Sequence, residues 1–320
     1  PGKAEIRAET VAPPGDGEVR VRAVASALSR GTERLVFSGC VPESEYQRMR
    51  VPFMGGSFPY PVKYGYAMVG RVEQGPAALQ GKLVFALHPH QTVFNIPAGR
   101  AGEIVPVPEG VPAERAVLAA NMETALNATW DGAAERASRI AVVGAGVLGL
   151  LVARLCSKLP GVAVTVVDVE PSRAGVAQKL GLPFAVPADA PTDCDLVVHT
   201  SAQEDGLATA LRLAGFEATV LELSWYGAND IKVPLGGAFH SRRLKLVSSQ
   251  VGHVAPSHRA AWTHRRRLEA ALELLDDPAL DALLAPPVAF ADLPARLPDI
   301  LNPASGVLCQ LIRYPAAVVA

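Results

Sequence analysis

The spacing of apolar positions changes character along the chain. Over the first 117 residues the apolar positions come in short runs. Segment 18–24, EVRVRAV, alternates polar and apolar as a half-buried strand does. Further β-like runs at 68–72, 82–87, 92–96 and 102–107 are separated by Gly and Pro, so a compact all-β lobe is predicted here. Segment 43–66, rich in Pro, Gly and aromatic residues, interrupts it, and a long irregular insertion in a compact domain is usually functional or mobile.

From 113 to 137 the pattern turns helical, and a different regime begins. Apolar runs at 140–143, 162–167, 184–186, 195–200, 218–223 and 244–249 alternate with helical stretches through 155 and over 171–180 and 205–213. Strands alternating with helices predict a doubly wound α/β sheet. A helix over 260–275 and a β-leaning tail at 306–312 complete the chain, with no internal repeat. The predicted domains are 118–275 for the doubly wound unit and 1–117 with 276–320 for the β lobe.

The sharpest word lies at the start of that unit. A β run leads into Gly144-Ala145-Gly146-Val147-Leu148-Gly149, a helix follows, and the next β run ends in Asp168, 19 residues past Gly149. Gly144 permits a tight turn off the strand, Gly146 lets backbone approach a pyrophosphate, and Gly149 lets the helix lie close on the sheet. Val147 and Leu148 open the helix, whose free N–H groups and positive dipole end suit phosphates. In this strand–helix–strand context the word is a dinucleotide fingerprint. A carboxylate at Asp168 accepts the ribose 2′-OH and repels a 2′-phosphate, and Arg173 is the only nearby cation, so NAD(H) is favoured over NADP(H). Ser201 and Ser224-Trp225 follow later strands at their carboxyl ends, where ligands bind, and are expected beside the adenosine ribose and the nicotinamide respectively.

Composition narrows the class. A hydrophobic content of 49%, 19% charged residues and a net charge of −1 describe a globular chain rather than a nucleic-acid binder. No apolar run approaches the roughly 18 residues of a membrane span, and residues 1–10 lack the pattern of an export signal, so a cytoplasmic location is expected. Cys40, Cys156, Cys194 and Cys309 are scattered, which offers neither a disulfide framework nor a structural zinc site. Two basic clusters, 240–245 and 264–267, would suit an anionic substrate if either faced a site; on a helix such a run is usually a solvated face.

An N-terminal β lobe, one central dinucleotide unit and a short C-terminal return together resemble the medium-chain dehydrogenase/reductase superfamily. The expected fold is thus a GroES-like β lobe plus a doubly wound Rossmann domain, with the C-terminus returning to the lobe. Ser29-Arg-Gly-Thr-Glu33, Lys63-Tyr-Gly-Tyr-Ala-Met-Val-Gly70 and Ser224-Trp-Tyr-Gly227 are similar to words in the branch that contains the bacteriochlorophyllide (hydroxyethyl-chlorin) dehydrogenases. The resemblance also shows departures. Ser29-Arg30-Gly31-Thr32-Glu33, which has no thiol, stands where zinc-dependent members carry a Cys-x-Thr-Asp-like word, Gly65-Tyr66-Ala67 stands for their Gly-His-Glu word, and about 121–123 for their third ligand. Zinc takes three or four Cys, His or carboxylate ligands, so no metal is expected.

Without zinc, side chains must move the proton while hydride moves to or from nicotinamide, a contribution of about 10²–10⁴-fold. The resemblance makes Tyr66, Lys63, His88 or His90, and Glu123 the candidates, with Ser29 and Thr32 as donors to the substrate oxygen. A Tyr66–Lys63 pair would work because an ammonium lowers a phenol's pKa. The expected activity is interconversion of an alcohol and a carbonyl on a moderately large small-molecule substrate, by a homodimer on the strength of the resemblance. Two competitors stand beside it: an NADPH-dependent enoyl or quinone C=C reductase, and a non-catalytic dinucleotide-binding sensor or scaffold.

Overall fold

The alternation at the start of the chain forms strand β1 (Glu18–Leu28), which runs on past the pattern because its last four residues are all buried. Continuous burial erases the period-two signal. A helix, α1 (Arg30–Ser38), follows directly and was not legible, since Gly31 and a charge-rich first turn mask its short apolar face. Strands β2 (Met68–Gln74), β3 (Leu83–Ala86), β4 (Val93–Pro97) and β5 (Ile104–Pro106) match the remaining runs of the lobe. The computed structural model describes residues 1–98 and 104–316, so the start of the predicted 102–107 run lies outside the described residues. Segment 43–66 holds a single 3₁₀ turn, Glu43–Glu45, and a two-residue ribbon pairing Gly55–Gly56 with Val62–Lys63. Its aromatic residues pack on one another, Tyr46 on Phe58, Phe58 on Tyr64 and Tyr64 on Tyr66, with ring centroids 5.3, 6.0 and 6.3 Å apart.

After helix α2 (Ala119–Asp131) the alternating regime builds a six-stranded parallel sheet. Its strands are β6 (Arg139–Val143), β7 (Ala163–Val167), β8 (Phe184–Ala185), β9 (Cys194–His199), β10 (Ala214–Glu222) and β11 (Lys245–Ser248). The order β8-β7-β6-β9-β10-β11 reverses at β6/β9, the switch point of a doubly wound sheet. Helix α3 (Val147–Cys156) crosses from β6 to β7, and α4 (Glu204–Leu213) from β9 to β10. Val143, Val167, Val197, Leu207 and Val220 meet in the core between sheet and helix. In edge strand β11 all four residues are exposed.

Helix α5 (His264–Glu273) leads out of the sheet, and strand β12 (Leu284–Ala289), helix α6 (Leu293–Leu301) and strand β13 (Cys309–Arg313) return to the first sheet. That sheet has the order β12-β13-β1-β2-β3-β5, with β4 also on β1, so both ends of the sequence meet at β1. Helix α6 carries Pro298 inside it, and burial of Leu293, Ile300 and Leu301 holds it. Two compact units result, Pro1–Ala120 with Leu268–Ala320, and Asn121–Arg267. Among the described residues no helix is long and apolar enough to cross a membrane.

Candidate functional site

The glycine turn after β6 has the form its sequence requires. Gly144 sits at φ +111°, and a Cβ there would come within 2.6 Å of the Thr200 hydroxyl oxygen and 2.8 Å of the Ser201 backbone nitrogen. A Cβ on Gly149 would overlap the Gly144 carbonyl oxygen, so α3 lies as close to the turn as backbone allows. Gly146 caps α3 and faces open space: nothing lies within 4 Å of where its Cβ would be. That gap is where backbone can meet a ligand, and Val147 and Leu148 follow it with the first N–H groups of the helix, which lack partners within the helix. The residues present fit a dinucleotide.

Asp168 is held at the same turn. One carboxylate oxygen accepts the Ala145 N–H at 2.6 Å and the other the Glu170 N–H at 2.9 Å. Arg173 ends the 3₁₀ turn Pro171–Arg173, where its N–H donates to the Glu170 carbonyl at 3.1 Å.

Ser201 and Ser224, at the carboxyl ends of β9 and β10, belong to a polar network that the sequence did not reveal. His199 and Glu222 end neighbouring strands in register. Their side chains meet at 2.7 Å, and the other imidazole nitrogen lies 2.6 Å from the Ser201 hydroxyl. Glu222 also accepts the Ser224 N–H at 2.7 Å and the Tyr226 hydroxyl at 3.1 Å. Burial works to raise the Glu222 pKa, but the His199 and Ser224 bonds overcome it and hold the carboxyl below its usual range. The Ser201–His199–Glu222 order mimics a nucleophile–base–acid line. However, the Ala202 and Gln203 N–H groups are spent on the Ser224 and Ser201 oxygens, so neither is free to hold an oxyanion. The available signal was two apolar strand runs that both end in a polar residue. Trp225 is 36% exposed and is not core packing.

In the first unit the structure brings some of the candidates together. The hydroxyl of the half-buried Tyr66 donates to the Ser29 hydroxyl, and the Thr32 hydroxyl also reaches the phenol. Burial pushes the Tyr66 pKa up to about 12, with the Ser29 and Thr32 contacts opposing and the Glu33 charge adding to the rise. The Tyr66–Lys63 pair does not form. The Lys63 ammonium donates to Glu9 at 2.7 Å and Gln91 at 3.0 Å, and the phenol is raised rather than lowered.

His88 is packed between aromatic rings. Its ring stacks on Phe94 at 3.8 Å and Phe53 at 5.4 Å, and its Nδ1–H donates to the Pro89 carbonyl at 2.9 Å. Burial lowers its pKa to about 4, so the ring is neutral. His90 takes the place nearer Tyr66: its Nε2 lies 3.0 Å from Glu33 and its Nδ1 2.9 Å from the Ser26 hydroxyl, which is 2.9 Å from the Tyr314 hydroxyl. Glu33, Ser26 and Tyr314 were missed.

Glu123 lies in the second unit and is engaged structurally. Arg267, 1% exposed, donates to it at 3.0 Å and to the Asn127 side chain at 2.5 Å, with the Val251 and His253 carbonyls completing its shell. The basic run 264–267 is therefore not wholly a solvated face. In the other run Arg242 donates to the Ala214 carbonyl at 2.9 Å and Arg243 pairs with Glu217 at 2.8 Å.

Among the described residues no group of three or more His, Cys, Asp or Glu is placed to hold a metal ion. Ser29 and Tyr66, a hydroxyl and a phenol bonded to each other, offer neither a thiolate nor an imidazole. This donor set does not fit zinc.

No family model matches the chain, and no curated protein matches it. Solved structures match almost end to end. One is a protein of Sinorhizobium meliloti 1021, provisionally assigned as a zinc-binding dehydrogenase and bound to NADP: 17% identity, 98% of this chain and 96% of that one, TM-score 0.74. Another is a short chain alcohol dehydrogenase of E. coli CFT073 complexed with NADH, at 16% identity, 98% and 96% coverage and TM-score 0.73. A third is the 2R,3R-butanediol dehydrogenase of Bacillus subtilis, at 15% identity, 98% and 96% coverage and TM-score 0.73. The chain thus shares the fold of these dehydrogenases, a GroES-like lobe with a Rossmann sheet.

Proposed function

We propose that this protein is a zinc-independent, NAD(H)-dependent oxidoreductase that interconverts an alcohol and a carbonyl on a moderately large substrate. The observation that carries the proposal is the Tyr66–Ser29 hydroxyl pair, in a chain whose glycine turn fits a dinucleotide; the resemblance sets Tyr66 where a ligating histidine would stand. The nicotinamide, when bound, supplies or takes the hydride. Gly144, Gly146 and Gly149 with the start of α3 hold the pyrophosphate, Asp168 selects the ribose 2′-OH, and Ser201 and Ser224 line the strand ends. Tyr66 holds the proton. With a pKa near 12 the phenol is protonated at neutral pH, yet it is far more acidic than an aliphatic alcohol, so it gives its proton to a developing alkoxide. Ser29 and Thr32 then stabilise the phenolate. The working form in this proposal is a cytoplasmic homodimer.

The competing C=C reduction also needs an acid and no zinc, and cofactor preference separates the two. Titration of purified protein with NADH and NADPH, followed by nicotinamide fluorescence, is run with elemental zinc analysis on the same sample. Selective NADH binding, negligible zinc and a loss of about 10²-fold in kcat for Tyr66→Phe are expected. Stoichiometric zinc overturns the site argument, and an NADPH preference transfers the proposal to the C=C reductase.

A further inference from the structure

A chain of contacts leads from the Tyr66 hydroxyl back to the backbone beside Tyr66. Tyr66 bonds the Ser29 hydroxyl, and the Ser29 backbone N–H donates to one oxygen of Glu33 at 2.8 Å. The other Glu33 oxygen meets His90 at 3.0 Å. The His90 ring lies against Gly65, next to Tyr66: a Cβ on Gly65 would come within 2.7 Å of its Cδ2 and 2.8 Å of its Nε2. The His90 backbone N–H ties it again to the Tyr64 carbonyl at 3.1 Å. Glu33 and His90 are each about 10% exposed in their side chains, so this pair is held out of water. Beyond these contacts, Ser26 holds the remaining imidazole nitrogen and is itself backed by Tyr314.

These contacts are more than helix capping needs. Glu33 accepts the N–H of Ser29, the residue just before its own helix, with one oxygen; a glutamate doing only that would leave the other to solvent. Here the second oxygen is committed to an imidazole whose far nitrogen is also anchored. Each link fixes an orientation: Glu33 sets the Ser29 main chain and hence its hydroxyl, and His90 fills the space that Gly65 leaves open beside Tyr66.

The geometry points to Glu33 and His90 as positioning residues that aim the Ser29 and Tyr66 hydroxyls at one point, the place of the substrate oxygen. This inference rests on the alcohol–carbonyl reading above for its chemistry, but not for its geometry. A misplacement of the acid by about 1 Å costs on the order of 10²-fold in rate.

The test has two arms on the full-length protein. In the first, NADH-dependent carbonyl reduction is measured for Glu33→Ala, His90→Ala, the conservative Glu33→Gln, and His90→Ala combined with Tyr66→Phe. Glu33→Ala and His90→Ala are expected to lose about 10- to 100-fold in kcat with NADH affinity unchanged. Glu33→Gln, which can still accept the Ser29 N–H and donate to His90, stays within about threefold. Because the pair acts through the phenol, His90→Ala adds nothing to Tyr66→Phe. Independent, multiplying losses, or an unaffected His90→Ala, overturn the inference.

The second arm needs no turnover. The chain has six tyrosines, and ring-¹³C-tyrosine NMR identifies the Tyr66 signal by its loss in Tyr66→Phe. Glu33→Ala and His90→Ala are expected to move it and Glu33→Gln to leave it in place; a signal that stays put in both alanine variants overturns the inference. If Glu33→Ala does not fold, Ser26→Ala, which loosens the imidazole from its far side, takes its place with the same expectation. Wild-type protein that binds NADH but turns over no carbonyl, with the Tyr66 signal still responding, sinks the functional reading and leaves the positioning role standing.

Discussion

Gly149 and His88 show how single atoms decide what this chain tolerates. A methyl group at Gly149 has no room against the Gly144 carbonyl, and only a backbone shift makes space. Gly149→Ala is expected to cost about 1–3 kcal/mol of stability, the usual range for overpacking. It should also weaken NADH binding, because the helix N-terminus moves with it; urea melts and NADH titration check both. His88 gives a pH signature. The unfolded chain takes up a proton on this ring below about pH 6.5, whereas the folded ring resists until about 4. Its contribution is therefore intact above pH 6.5 and is lost as pH falls from there towards 4, by up to about 3 kcal/mol at 1.36 kcal/mol per unit. Thermal melts across that window should flatten in His88→Phe relative to wild type. Gly149 and Asp168 were legible because their word is local. The His90–Glu33 contact was not, because it joins residues 57 apart on different elements.

Among the elements, alternation exposed the strands whose two faces differ and failed where burial is continuous, as at the end of β1. It also missed α1 and α6, whose short apolar faces are broken by Gly31 and Pro298. The basic run on α5 shows what such a pattern hides. Four successive polar residues read as solvated, yet Arg267 turns inward to pin α5 onto α2 through Glu123 and Asn127. Burial raises the Glu123 pKa and the Arg267 charge opposes that rise. Removal of the cation leaves a buried carboxylate without its partner. Arg267→Met should therefore destabilise by about 3–5 kcal/mol, and Arg267→Met with Glu123→Leu by less, as urea unfolding would show. A loss in the double variant equal to the sum of the Arg267→Met and Glu123→Leu losses would mean that the pair does not couple.

Across the whole molecule, the division of labour was legible before the site was. A change from period-two runs to strand–helix alternation separates a β lobe from a dinucleotide sheet, and that needs only the spacing of apolar residues. The hydrogen-bonded network around Tyr66 and His90 was harder to see, because its members come from distant parts of the chain. Ser26 on β1 meets Tyr314, 288 residues later, just past β13. This long-range contact bears on the order of events during synthesis. Residues 121–267 form a contiguous unit, and all six strands of its sheet leave the ribosome before the C-terminal return is made. The β lobe must wait with its sheet open at β1 until the last strand arrives. A nascent chain would therefore acquire a place for the dinucleotide well before the backing of His90 is complete.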